Sequence, residues 1–233
     1  MSPTLHHLHV SQSERIVWLL EELNTPYTLK SYTRAPILAP PELKNLPGNT
    51  LGTAPVLTDG PDVTLAETGA IVDYLLSKYS SNASLAVSSS SDNYAQYLYW
   101  LHAANGTLLP QVGRNMTLAR AGITEDNPAR KFALDRLQKI LGKMDARLAE
   151  TGAFLAGQEL TAADVMTVFP LTTMRYFYPY SLKDYPNILK YLGRIGERDV
   201  YRRAMEKGDP GMELLLGAEA PEKTFFELAG GWK

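Results

Sequence analysis

The sequence predicts an α/β domain of order β-α-β-α-β-β-α, followed by an all-α helical bundle domain. Three observations carry this expectation. Before residue 80 the apolar spacing alternates between the strand period of two and the helical period of 3.6, whereas after residue 91 it is helical only. Between them lies Ser80 to Ser91, rich in Ser and Ala and poor in large apolar residues, which reads as a linker. The stretch Gly52 to Ala70 reads as two short strands joined at Asp59-Gly60-Pro61-Asp62 and running directly into a helix. The expected divisions are residues 1–79, a linker over 80–91, and a helical domain over 92–233.

Residues 4–10 alternate loosely as a first strand. From Ser13 to Asn24 a helix follows, with Ile16, Leu19, Leu20 and Leu23 on one face. Tyr27 to Tyr32 is a second strand. Pro40-Pro41-Glu42-Leu43-Lys44 suits a short helix that carries its prolines at the tolerated end. The hairpin comes next, then a helix to about Tyr79. Beyond the linker, Tyr94, Tyr97, Leu101, Ala104 and Leu108 share one helix face. Leu134, Leu137, Leu141, Met144 and Leu148 share another after a break at Gly122 to Pro128, so two long antiparallel helices are expected. Thr161 and Asp164 are spaced as a capping box, flanked by Leu160 and Val165 as a hydrophobic staple, and mark the start of a further helix. Shorter helices are expected over Pro186 to Gly196 and Glu197 to Lys207, before a tail punctuated by Gly and Pro.

Composition narrows the chemistry. With 233 residues, 45% of them hydrophobic, the chain can bury a sizeable core. A formal net charge of −2 without basic runs argues against nucleic acid or an anionic membrane as partner. No apolar run is long enough to cross a bilayer, and MSPTLHHLHV lacks the pattern of a secretory signal, so a cytoplasmic location is expected. On that ground the sequons at Asn82, Asn105 and Asn115 are read as chance. The absence of cysteine removes disulfides, thiolate metal sites and a cysteine nucleophile, so any thiol chemistry must use a thiol brought from outside. Three of the four histidines, His6, His7 and His9, lie on or beside the first strand rather than at helical metal-ligand spacing, and no metal is expected.

Two features of Gly52 to Ala70 ask for a reason. Pro55 stands at the mouth of a strand, where a backbone donor belongs, and Glu67-Thr68-Gly69 opens the next helix. An acid and a hydroxyl there cap the helix and suit its dipole. The same groups, with a helix amino terminus, can also receive a carboxylate and an ammonium.

The chain resembles the cytosolic glutathione transferases over about residues 4 to 205, most closely a fungal branch with bacterial relatives. The resemblance is carried by Ala54-Pro55-Val56-Leu57, Glu67-Thr68-Gly69-Ala70-Ile71, and Phe154-Leu155-Ala156-Gly157 before the Thr161/Asp164 box. The runs from Trp18 to Leu23 and Ala39 to Lys44 add the fungal character. It implies a thioredoxin-like amino-terminal domain, a homodimer, and conjugation of the glutathione thiolate to small hydrophobic electrophiles in detoxification. Glutathione would be the co-substrate, and no further cofactor is implied. A glutathione-binding regulatory protein and a glutathione-dependent peroxidase are the alternatives.

The resemblance also assigns residues. Pro55 is cis in that family, which turns the backbone of Ala54 toward the cysteinyl backbone of the tripeptide. Thr68 would hold the γ-glutamyl carboxylate and Glu67 help receive its amine. Thr53 stands where the family commonly has a lysine for the glycine carboxylate, so Lys44, Arg34 or a hydrogen bond from Thr53 must serve. For the thiol donor, Ser11 stands four residues before Arg15, as the serine of serine-type members does. Ser13, otherwise the cap of the first helix, and His9, at the place of the phenol in tyrosine-type members, are the alternatives. The electrophile pocket is expected between the domains, with Trp100, Asn105, Arg114 and Tyr178 as candidates and packing of a helical core as their other role.

Overall fold

The computed structural model describes residues 2–80 and 85–228. Part of the expected linker and the Asn82 sequon lie outside the described residues. The chain divides into two compact units, one of residues 1–83, 196–214 and 226–233, the other of residues 84–195 and 215–225. The element order is β1 (Thr4–Leu8), α1 (Glu14–Glu22), β2 (Thr28–Tyr32), α2 (Pro41–Lys44), β3 (Val56–Asp59), β4 (Val63–Ala66), α3 (Thr68–Tyr79), α4 (Tyr94–Ala103), α5 (Leu109–Arg120), α6 (Pro128–Thr151), α7 (Ala162–Leu171), α8 (Pro186–Gly196), α9 (Asp199–Gly208) and α10 (Phe225–Leu228).

In the first unit the strands lie in the order β2-β1-β3-β4. β1 runs parallel to β2, Thr4 opposite Thr28, and antiparallel to β3, Leu5 opposite Leu57. β3 and β4 form the expected hairpin, with Val56 opposite Ala66. Leu5, Val56 and Leu57 are buried together with Ile16, Leu19 and Leu20 of α1 and Ile71, Val72 and Leu75 of α3. Burial of each large apolar side chain is worth roughly 1.5–3 kcal/mol. The Ala54–Pro55 peptide bond, at the entry to β3, is cis.

Asp59 closes β3 and ties α3 to it. Its Oδ2 accepts from Tyr74 Oη at 2.7 Å, Lys78 Nζ at 2.8 Å and Tyr79 Oη at 2.6 Å. Burial opposes the ionisation of Asp59, but the hydrogen bonds from Lys78, Tyr79 and Tyr74 outweigh it and hold the carboxyl down at about 2. This clamp fixes the helix whose first turn carries Thr68.

One assignment from the sequence is corrected here. Residues 196–214, expected in the helical domain, belong to the sheet unit. Tyr201, Ala204 and Met205 of α9 are buried, and Tyr201 meets Trp18 of α1 edge to face at 4.9 Å. Arg198 pairs with Glu22 at 2.8 Å and Lys207 with Glu21 at 2.7 Å. Periodicity shows that a helix buries one face; it does not say what covers that face.

The second unit is helical. α4 passes through a π-helical turn, Ala104–Leu108, into α5, and α6 runs from Pro128 to a left-handed Gly152 (φ 65°). Asn127 caps α6 by accepting from Ala129 N at 2.9 Å. Asn115 is fully buried and joins α5 to α6 through Nδ2 to the Ala133 carbonyl at 2.9 Å. α7 is buried on all sides. Its first turn is locked by Asp164, which accepts from Thr161 N–H at 2.8 Å and Thr161 Oγ1 at 3.1 Å. Arg175, fully buried, donates to the carbonyls of Tyr180, Gly217 and Ala218 and so anchors the returning segment 215–218. Among the described residues, no helix is long and apolar enough to cross a membrane.

Candidate active site

The turn between β1 and α1 carries Ser11 and Ser13. Val10, just before them, adopts φ 52°, an unfavourable conformation for a β-branched residue. It is held from both sides: its N–H donates to Asp209 Oδ1 at 2.8 Å, and its carbonyl accepts from Arg34 Nη2 at 2.7 Å. Arg34 also donates to the His9 carbonyl at 2.9 Å and to the Ile37 carbonyl. Arg34, weighed as a substitute for a lysine at position 53, is thus a structural support of this turn.

Ser11 lies beside the amino terminus of α1, whose dipole favours negative charge nearby. Its Oγ is 2.7 Å from Ser13 Oγ and accepts from Ser13 N–H at 3.2 Å. Ser13 occupies the cap position of α1, but its hydroxyl makes no capping bond. Its oxygen accepts instead from Leu8 N–H at 3.2 Å and lies 2.8 Å from His7 Nδ1. His9 Nδ1 is 2.9 Å from Asp209 Oδ1 and so faces the carboxylate.

Two side chains that sequence reasoning passed over connect this turn to the rest of the site. Gln12 Nε2 donates to the Ala54 carbonyl at 3.1 Å, so that oxygen already carries one bond. Arg15 is fully buried; its Nε donates to the Gln12 carbonyl at 3.2 Å, and its Nη2 to Gln12 Oε1 and to Thr68 Oγ1, the latter at 3.3 Å. Burial, partly offset by Glu14, lowers its guanidinium to about 9, still charged at neutral pH. Arg15 was noticed only as the marker that picked out Ser11; it also joins segments 53 residues apart.

Around that link stand the other predicted residues. Thr68 is buried in the first turn of α3. Glu67, at the cap position, is exposed and sits at φ 68°, ψ 116°. An acidic residue held at positive φ on the surface is uncommon, and such strain concentrates at sites where a side chain must be aimed. Thr53 is exposed, its backbone clamped by buried Asn49 through N–H to Oδ1 at 3.1 Å and carbonyl to Nδ2 at 2.9 Å. Lys44 is exposed too and runs along Gly52: a Cβ added at Gly52 (φ 62°) would lie 3.3 Å from Lys44 Cγ.

The electrophile candidates lie in the helical unit in different settings. Trp100 and Tyr178 are buried, and Tyr178 Oη accepts from Arg130 Nη2 at 2.8 Å. Asn105 is half-buried in the π-helical turn, and Arg114 is exposed on α5.

His7, His9 and Asp209 each offer a ligand atom within 4.8 Å of the others. Both oxygens of Asp209 already face nitrogen groups: Oδ1 lies 2.9 Å from His9 Nδ1 and accepts from Val10 N–H, while Oδ2 lies 3.3 Å from His7 Nε2, an ion-pair contact rather than a formed hydrogen bond. Burial pushes the Asp209 carboxyl up, but His7, the Val10 N–H and His9 together hold it below its usual range. Its partner His9, just past β1, is 200 residues away, a link that motif spacing could not have found.

A sheet of order β2-β1-β3-β4 with a cis proline before β3 defines a thioredoxin-like domain, and a polar constellation gathered from the β1–α1 turn, Ala54 and the start of α3 lies beside that proline. The chain belongs to the glutathione S-transferase family. Residues 5–83 match the description "Glutathione S-transferase, N-terminal domain" and residues 115–200 match "Glutathione S-transferase, C-terminal domain". Glutathione S-transferase 3 of Schizosaccharomyces pombe is 32% identical, over 87% of this chain and 86% of its own. Glutathione S-transferase 1 of Saccharomyces cerevisiae is 27% identical, over 87% and 94%. Among solved structures, a glutathione S-transferase from Actinobacillus pleuropneumoniae is similar with a TM-score of 0.77 and 33% identity, covering 90% of this chain and 94% of that one.

Proposed function

We propose that the protein is a glutathione transferase that ionises the glutathione thiol beside Ser11 and directs it onto small hydrophobic electrophiles. The observation that carries the reading is the Gln12–Arg15 link: it joins the Ser11 turn, the Ala54 carbonyl and the Thr68 hydroxyl, three separate stretches of sequence, into one polar constellation. A tripeptide paired with the Ala54 backbone would present its γ-glutamyl end to Thr68 and Glu67, its glycine carboxylate to Lys44 and Thr53, and its sulfur to Ser11. A free thiol has a pKa near 8.5, and each unit of lowering requires about 1.4 kcal/mol of preference for the thiolate. The Ser11 hydroxyl and the amino terminus of α1 supply such a preference without a protein nucleophile or a further cofactor. Asn105 and Arg114 are the acceptor-pocket residues with accessible side chains. A cytoplasmic homodimer acting in detoxification completes the reading.

The ultraviolet thiolate band of bound glutathione, titrated with pH, tests it. Wild-type protein should show the band well below the pKa of free glutathione, and Ser11→Ala should move it up by about one unit, equivalent to the lost hydrogen bond. A wild-type complex whose thiol titrates as in water would refute the transferase reading. Loss of the shift in Ser13→Ala but not in Ser11→Ala would move the thiol contact to Ser13.

Glu67→Gln keeps the shape of the side chain and removes its charge. It should weaken glutathione binding roughly tenfold to a hundredfold, as for a lost charge-assisted hydrogen bond. Unchanged affinity in a direct titration would reduce Glu67 to a helix-start residue.

A further inference from the structure

Behind Ser11 a chain of polar contacts runs into the interior of the sheet unit. Ser11 Oγ is 2.7 Å from Ser13 Oγ, Ser13 Oγ is 2.8 Å from His7 Nδ1, and His7 Nε2 is 3.3 Å from Asp209 Oδ2. Ser13 and His7 are fully buried, and Ser11 and Asp209 are 6% exposed. Gly208, at the end of α9, closes over the imidazole: a Cβ there would lie 3.4 Å from His7 Cε1 and Nε2. Asp209 grips the Val10 N–H as well, so one carboxylate supports both ends, the imidazole and the strained turn that presents Ser11. The charged and titratable groups around His7 are Asp209, His9 edge-on at 5.5 Å, and Arg34 on the His9 and Val10 carbonyls.

Proton counting orders the chain. A hydroxyl has one proton to give, and a neutral imidazole has one donor and one acceptor nitrogen. An ionised Asp209 opposite Nε2 places the imidazole proton there, which leaves Nδ1 to accept. Ser13 then donates to His7 Nδ1 at 2.8 Å, the nearer of its two acceptors (the Leu8 carbonyl is at 3.3 Å), and its oxygen accepts from Leu8 N–H and from the Ser11 hydroxyl. In that order Ser11 turns a lone pair, rather than its hydrogen, toward an approaching thiol. A thiol S–H can donate to that lone pair, and the proton order of the chain can reverse.

We propose that this chain stores the thiol proton. As the S–H bond breaks, its proton passes to Ser11 Oγ, the former Ser11 proton passes to Ser13 Oγ, and the Ser13 proton passes to His7 Nδ1. Each hydroxyl loses one proton and gains one. Only the sulfur, now a thiolate, and His7, now an imidazolium against Asp209, have changed charge. The Ser11 O–H then points outward and donates to the thiolate it has just formed. A buried imidazolium is sustained by the adjacent carboxylate, the arrangement that steadies histidines beside buried acids. His7 and Asp209 are positioning residues here, because they act through Ser13 and Ser11. The inference rests on the assignment of Ser11 as the partner of the thiol.

The test counts protons. Glutathione is bound to the wild-type protein at pH 7.5 in two buffers of different ionisation enthalpy, and the thiolate band is recorded in parallel. The expected result is a thiolate band without release of a matching proton to the buffer. His7→Gln should bind S-methylglutathione, which has no thiol proton, as wild type does. With glutathione it should show about tenfold less thiolate at that pH, and what thiolate forms should be matched by released protons. Release of one proton per thiolate from wild type overturns the proposal, and this measurement needs no variant to fold. A wild-type band in His7→Gln, unchanged in its pH midpoint, overturns it as well. If Ser11→Ala keeps the band, the Ser11 assignment has failed; if Ser11→Ala loses it while wild type releases the proton, only the storage chain has failed. A wild-type complex with no band rejects both.

Discussion

Replacing Asp164 by alanine should destabilise the protein by about 3–5 kcal/mol, read as a lower midpoint of urea unfolding. The carboxylate is fully buried and receives four donors: Leu155 N–H at 3.0 Å, Thr161 N–H at 2.8 Å, Thr161 Oγ1 at 3.1 Å and Tyr191 Oη at 3.2 Å. Without it, the Leu155 and Thr161 N–H groups and the Thr161 hydroxyl lose this acceptor inside the helical unit, at roughly 1–3 kcal/mol for each donor left unsatisfied. A loss below about 1 kcal/mol would mean that these donors find other partners.

The same residue carries a pH signature. Burial raises the Asp164 carboxyl from its ordinary value to about 6, against the opposing bonds from Leu155, Thr161 and Tyr191. Because the folded-state pKa lies above the unfolded one, the folded protein binds this proton more tightly, and the contribution of Asp164 to stability falls as pH rises from about 4 through 6. The stability gap between wild type and Asp164→Ala should therefore narrow over that interval, by on the order of 2–3 kcal/mol, and stay level above it. A gap that widens between pH 4 and 6 would show that the four donors outweigh burial.

Arg15→Met should weaken glutathione binding by about 2–3 kcal/mol, on the order of a hundredfold, while the folded protein persists. Methionine fills much of the buried volume that the arginine stem occupies, which limits the loss of packing. What it cannot replace is direction. The guanidinium holds the Gln12 carbonyl, the Gln12 carboxamide and the Thr68 hydroxyl together, and that carboxamide in turn holds the Ala54 carbonyl. Calorimetric titration with glutathione reads the effect. A folded Arg15→Met protein with wild-type affinity would show that the γ-glutamyl and cysteinyl sites are oriented without it.

Legibility followed sequence distance. The hairpin from Val56 to Ala66 and the helix at Thr68 were readable because a strand pair closed by a tight turn is a local decision: the turn residues and the alternating apolar positions are all present in one stretch. The capping box was readable for the same reason, since Thr161 and Asp164 lie within one helical turn. Trp100 and Tyr178 show the opposite limit. An aromatic residue on a helical stripe can line a pocket or fill a core, and the choice depends on neighbours such as Arg130, which the stripe does not contain. Arg34 is a similar case: a cation near the site in sequence was spent on three backbone carbonyls.

By itself, then, the sequence determined the order of elements, the proline before β3, the acid and hydroxyl at the start of α3, and the absence of any protein thiol, because each depends on residue type and short spacing. Only the tertiary structure decided that α9 packs on α1, that Arg15 joins Gln12 to Thr68, and that Asp209 lies behind His7 and Ser13. Those contacts depend on which buried face meets which. Asp209, 200 residues from His9 and farther still from His7, leaves no trace in local periodicity; it faces them because a buried carboxylate must find its partners within the fold.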